Sequence, residues 1–206
     1  MPPPRPPDLG ASTPAESPPQ ARGDAPPEES ACRERLTQLG VRYEPLPPIR
    51  DGVCGADWPL RVSALSDELA LASPVTTTCP IVEGLARWML DAVTPAANRD
   101  LESRPTQIVI GTSYECRSRN RQEGAKLSEH AFADAIDIMG FRFHTGKAMQ
   151  VGSLAAETPE GRFQAAIRGE ACRYFTTVLG PGSDESHKDH LHLNLRGRNK
   201  GFRLCQ

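Results

Sequence analysis

The chain is predicted to fold as a single α+β domain, a small antiparallel sheet with flanking helices stabilised by disulfides, and three observations lead there. Apolar residues recur at helical spacing in some segments and at strand spacing in others, without the strand–helix alternation of a doubly wound sheet. Composition shifts near residue 31 from a proline-rich stretch to an ordinary globular mixture. Six widely spaced cysteines all fall after that shift.

Residues 1–30 hold half of the 20 prolines and few large apolar side chains. Such a segment cannot bury enough surface to offset the entropy of ordering it, so it is expected to be a disordered leader. Residues 31–206 remain for one domain. A net charge of -2, with both signs interspersed, offers no basic stripe for nucleic acid. No apolar run approaches the ~20 residues of a membrane span or the shorter core of a signal peptide.

The first helix is expected over residues 32–39, where Leu36 and Leu39 sit three apart and Gly40 supplies a left-handed stop. A second starts at Thr78 as its cap, with Pro80 in the first turn and Val82, Leu85, Met89 and Ala92 as its buried stripe, and ends at Pro95. Ile108, Val109 and Ile110 mark a strand over 106–113, followed by a polar loop over 114–127. A strand over 135–143 carries Ile136 and Ile138 on one face and Asp137 on the other. After Pro159, the spacing of Phe163, Ile167, Ala171 and Tyr174 is helical. A Gly-Pro-Ser-Asp turn region then leads to a strand over 190–195.

Cys32, Cys54, Cys79, Cys116, Cys172 and Cys205 form no C-x-x-C pair, so a zinc ribbon or dithiol redox motif is disfavoured. An even, wide spacing suits structural disulfides in an oxidising compartment, which predicts a periplasmic or secreted protein even though this sequence shows no export signal. Six cysteines allow about 15 pairings, and spacing does not choose among them.

Three of the five histidines fall within six residues, His187-Lys-Asp-His190-Leu-His192. Strand alternation turns His190 and His192 to one face and Leu191, Leu193 and Leu195 to the other, so the leucines enter the core and the imidazoles line a cleft. Asp137 on its apolar strand needs a cation or hydrogen bonds to compensate its desolvation. His130, Asp137 and one histidine of the C-terminal strand make three ligands with an open fourth position, the set that catalytic zinc requires. His144, before Thr-Gly, reads as a surface turn residue.

The segment Ser128-Glu-His130 to Asp137, followed by H-x-x-H-x-H, resembles the zinc peptidase superfamily of D-alanyl-D-alanine carboxypeptidases, murein endopeptidase and the Hedgehog domain. More closely, the cysteine spacing, Ser113-Tyr-Glu-Cys-Arg117 and Thr177-Val-Leu-Gly-Pro-Gly resemble the bacterial extensin-like C-terminal domain family over about residues 31–206. The resemblance implies one zinc ion held by His130, Asp137 and His192, with His187 and His190 flanking the reacting bond. It implies peptidoglycan or its peptides as substrate, cut at D,D or L,D bonds, and Arg117, Tyr114 and Ser128 beside the substrate. Many relatives have glycine at the position of Ala133, and many carboxypeptidases have glutamate at that of Asp189, so the general base is either Asp189 or His190. Alternation favours His190. The other function compatible with the resemblance is a zinc-stabilised wall-binding or signalling module without catalysis. Oligomeric state has no signal in the sequence.

Overall fold

A computed structural model describes residues 25–206. Most of the expected leader lies outside these residues, but α1 (Pro27–Gln38) begins inside its predicted bounds. Pro27 in the first turn, followed by Glu28 and Glu29, is a favourable helix start because the ring pre-sets φ and the acids meet the dipole. Gly40, at φ 76°, ends it: its N–H reaches Thr37 O while Val41 N reaches Leu36 O, the paired bonds of a left-handed cap.

Five strands follow: β1 (Arg42–Pro45), β2 (Ile49–Asp51), β3 (Cys54–Ala56), β4 (Pro59–Ser66) and β5 (Leu69–Thr78). α2 (Cys79–Trp88) passes through a single π turn, Met89–Val93, into α3 (Thr94–Leu101). Pro95 was expected to close this helix and does not. Proline lacks an N–H and crowds the carbonyl four residues back, and the widened turn just before it accommodates both faults. Thr78 occupies the N-cap position, yet its hydroxyl donates to Asp134 Oδ1 (3.5 Å) instead of capping.

The rest of the chain supplies β6 (Pro105–Ile110), β7 (Ala135–Phe143), β8 (Ala148–Gln150), α4 (Pro159–Ala171), β9 (Thr177–Leu179), β10 (Leu191–Asn194) and β11 (Leu204–Cys205). Among the described residues the main sheet has nine strands in the order β1-β4-β5-β6-β7-β10-β9-β11, with β8 beside β7, and β2 and β3 form a separate ribbon. The expectation of a small antiparallel sheet is therefore corrected. The sheet is large and mixed, because β5–β6 and β9–β11 pair in parallel. The continuous helical segment from α2 to α3 serves as the crossover between β5 and β6, a connection that parallel pairing needs.

One face of the sheet packs on the helices. Ile136, Ile138, Phe141, Leu191 and Leu193 are fully buried with Trp88 and Phe163. Even-numbered residues of β7 enter this core up to Ile138, and odd-numbered ones from Phe141 onward. The switch is a bulge, since Val109 and Ile110 of β6 face Gly140 and Ile138, leaving Met139 as the extra residue. Gly140 is required there, because a Cβ would lie 2.2 Å from Met149 O of β8. Phe141 contacts Trp88, Phe143 and Phe163 at centroid distances of 6.4, 6.4 and 5.6 Å, the last joining α4 to the sheet, and Trp88 Nε1 donates to Ile167 O at 2.9 Å, tying α4 to α2.

The cysteines pair as Cys32–Cys79, Cys54–Cys116 and Cys172–Cys205. They join α1 to α2, the β2–β3 ribbon to the loop after β6, and the end of α4 to the terminal strand. Phe141→Ala, which hollows the junction of sheet and helices, is expected to cost about 3–5 kcal/mol in denaturant unfolding, with little change in m. A loss under ~1 kcal/mol would mean that the aromatic cluster does not anchor the helices.

Candidate metal centre

The other face of β7 and β10 carries the polar cluster. The strands are antiparallel with His192 opposite Asp137, flanked by the pairs Leu191–Ile138 and Leu193–Ile136. Register thus places an imidazole and a carboxylate as nearest neighbours on one face and leucine and isoleucine on the other.

His130 arrives from outside the sheet, on a single 3₁₀ turn, Glu129–Phe132. Ser128 starts the turn by accepting from His130 N through its side chain (3.4 Å). Ala133 ends it with φ 55°, a left-handed conformation, and its carbonyl accepts from Thr78 N and Thr77 Oγ1. Glycine would adopt this angle without strain, whereas the Cβ of Ala133 is crowded in it. The turn is stitched to the segment after β6 by Glu115 N to His130 O and Ser128 N to Arg117 O.

Three ligand atoms converge. His130 Nε2 lies 3.1 and 3.2 Å from the two oxygens of Asp137 and 3.2 Å from His192 Nδ1, which is itself 2.8 Å from Asp137 Oδ1. All three residues are buried, and together they could hold a metal ion. His130 Nδ1 lies 2.6 Å from Ser113 O, and a carbonyl only accepts, so the proton of the neutral ring sits on Nδ1. Nε2 then aims a lone pair at a carboxylate that also only accepts. Two such acceptors at this distance need a cation between them, either a second proton or a metal ion. Tetrahedral bonds of ~2.0 Å place ligand atoms roughly 3.3 Å apart, close to the spacing found here.

Charge states agree with that use. Burial would raise the Asp137 carboxyl, but its hydrogen-bond contacts with His130 and His192 outweigh that and hold it well below the usual range. Burial pushes His192 below the usual imidazole range, which disfavours its charged form. Ionised carboxylate and neutral imidazole are the forms that bind metal. His192 Nε2 meets the Asn194 amide at 2.9 Å, a second contact that fixes the ring.

The triad opens into a cleft of about 530 Å³ lined by His187, His190, Asn194, Ser128 and several arginines. His190 Nε2 lies 3.8 Å from Asp137 Oδ1, and its Nδ1 lies 2.9 Å from Asp189 Oδ1. The rings of His187 and His192 are 5.5 Å apart, and His187 Nδ1 lies 2.7 Å from Asp184. In both couples Nδ1–H donates to the carboxylate, which leaves Nε2 as the free nitrogen. Asp189 is itself exposed and meets His190 rather than the triad.

The family described as Extensin-like protein C-terminus matches residues 30–206. The chain belongs to the extensin-like C-terminal family. No curated protein and no solved structure matches it.

Two of the expected substrate residues of this extensin-like domain are engaged elsewhere. Tyr114 donates to Asp51 Oδ2 at 3.2 Å and does not line the cleft, because the Cys54–Cys116 bridge draws that stretch toward the β2–β3 ribbon. Arg117 lines the cleft but gives its Nε to Glu115 at 2.8 Å. Asn194, Asp184, Arg196 and Arg198 were not anticipated. Period-two alternation from His192 reaches Asn194 and then Arg196 and Arg198, so the signal for three of them was present. His144 is exposed, as expected.

Two predictions concern the His130 turn. Ala133→Val should cost roughly 1–3 kcal/mol, since a branched side chain resists positive φ, whereas Ala133→Gly should stay within about 1 kcal/mol of wild type. Thermal melts of both variants check this, and a tolerated valine contradicts it. Asp134 lies beside the same turn, and burial, then the charge of Glu129, push its carboxyl up to about 6. A carboxyl raised in the fold destabilises once it is forced to ionise: the penalty is absent below its ordinary value near 4, grows up to about 6 and is complete above. Asp134→Asn should therefore stabilise the domain more at pH 8 than at pH 4, and equal gains at both pH values would refute the assignment.

Proposed function

We propose that this domain is a zinc-dependent peptidase of the cell wall, hydrolysing peptide bonds in the stems or cross-links of peptidoglycan. One observation carries the reading: three buried ligand atoms converge at the floor of an open cleft whose next residues are two histidines, each backed by a carboxylate. A purely structural zinc site is closed by four protein ligands, whereas three ligands and open space suit catalysis. The resemblance of the His130 to Asp137 segment and the H-x-x-H-x-H run to zinc peptidases supplies the reaction type.

His130 Nε2, Asp137 and His192 Nδ1 would hold the ion. Zinc bound there supplies Lewis acidity, which polarises a scissile carbonyl and acidifies a water. His190 Nε2, freed by the bond of Nδ1 to Asp189, takes the proton of the attacking water as its oxygen adds to the carbonyl carbon. His187, oriented by the contact of its Nδ1 with Asp184, donates a proton to the departing amine when the C–N bond breaks. Ser128 acts by holding the His130 turn, and Asp189 is a positioning residue for His190. The three disulfides suit the oxidising exterior or periplasm in which such a substrate is found.

Zinc-equilibrated protein should retain one ion per chain by elemental analysis and release new muropeptides from purified peptidoglycan, detected by mass spectrometry. His190→Ala should lower that release about 10²-fold or more while the ion stays bound. Asp189→Asn should cause a smaller loss and shift the acidic limb of the pH–rate profile. A digest unchanged across D,D- and L,D-linked substrates, with zinc bound, would favour a wall-binding module over an enzyme.

A further inference from the structure

The cleft is chemically polar along β10. His190, His192, Asn194, Arg196 and Arg198 alternate with Leu191, Leu193, Leu195 and Gly197, and all five line the cleft. Imidazoles therefore occupy one end and guanidinia the other. At roughly 3.3 Å per residue, His190 to Asn194 spans about 13 Å, so the arginine end lies beyond the triad from His190.

Arg119, from the loop after β6, faces Arg196 across Glu129. Their nearest nitrogens are each 3.5 Å from Glu129 Oε1, and among the described residues neither guanidinium makes a hydrogen bond to a side chain or carbonyl. Arg198 reaches Thr176 O at 2.8 Å through one nitrogen. The neighbouring Arg117 and Arg121 differ, since both bond Glu115. One carboxylate thus stands 3.5 Å from two guanidinia whose planar forks suit closer, bidentate contact with carboxylates.

We propose that this end of the cleft is a subsite for a carboxylate-bearing part of the bound peptide, with Glu129 occupying the guanidinia loosely until that carboxylate displaces it. The inference rests on the peptidase reading for its substrate class and adds the feature that the substrate must carry: an acidic group on the Asn194 side of the scissile bond. The carboxylate comes either from a side chain or from a free C-terminus, and the two sources are separable.

The test is a calorimetric titration of zinc-equilibrated protein with three short peptides. One has glutamate side chains and an amidated C-terminus, one has glutamine side chains and a free C-terminal carboxylate, and one has neither acidic group. At least one acidic peptide should bind about tenfold tighter than the neutral one, and which does so identifies the source. Arg119→Gln and Arg196→Gln should each remove most of that advantage without changing zinc content. Glu129→Gln should increase it, a gain that misfolding cannot mimic. Equal binding of acidic and neutral peptides, or an advantage that survives both arginine substitutions, overturns the subsite. Carboxylate-dependent binding without any cleavage of peptidoglycan would sink the peptidase reading and leave the subsite standing.

Discussion

The structure is organised around one electrostatic problem, a buried ionised carboxylate in the middle of a sheet. Asp137 stands on β7 between Ile136 and Ile138, where desolvation penalises its charge. Antiparallel register answers part of the cost by placing His192 directly opposite. A one-residue slip of β10 would send His192 into the apolar core and bring its leucines into the cleft opposite Asp137, so the burial of Leu191 and Leu193 and the geometry of the polar site are a single constraint.

The remaining compensation comes from a segment with no helix or long strand of its own. His130 rides on one 3₁₀ turn, and its position depends on contacts from three directions: Ser128 at the start, the carbonyl of Ala133 under Thr77 and Thr78, and Ser113 O on its ring. The Cys54–Cys116 bridge anchors the preceding stretch to the β2–β3 ribbon. Irregular backbone is here made rigid by cross-linking and side-chain bonds, which is how a loop can hold a ligand within the tolerance a metal demands.

Much of this was legible because it follows from periodicity. Alternation on 135–138 and 190–195 identifies the core faces and the two candidate ligands on the strands, and the Pro159 helix and the left-handed stop at Gly40 follow from local rules. Other features depend on partners distant in sequence. Pro95 looks like a helix end until the π turn before it is seen, and Thr78 looks like a cap until Asp134 takes its hydroxyl. Parallel pairing of β5 with β6 has no local signature, so the sheet appeared smaller and simpler than it is. The alternation Leu60-Arg-Val62-Ser-Ala64 in β4 was a usable strand signal, whereas the three-residue strands β2 and β3 are too short to show a period. Tyr114 shows the limit of transferring roles by sequence position, because a disulfide one residue away from Glu115 decides where the ring goes.

The central claim is that His130, Asp137 and His192 are a metal site rather than a hydrogen-bonded cluster. Diffraction from zinc-equilibrated crystals on either side of the zinc absorption edge tests it most directly. The account predicts one anomalous peak about 2.0–2.2 Å from His130 Nε2, an Asp137 oxygen and His192 Nδ1. Absence of a peak, with the three side chains bonded directly to one another, would contradict it.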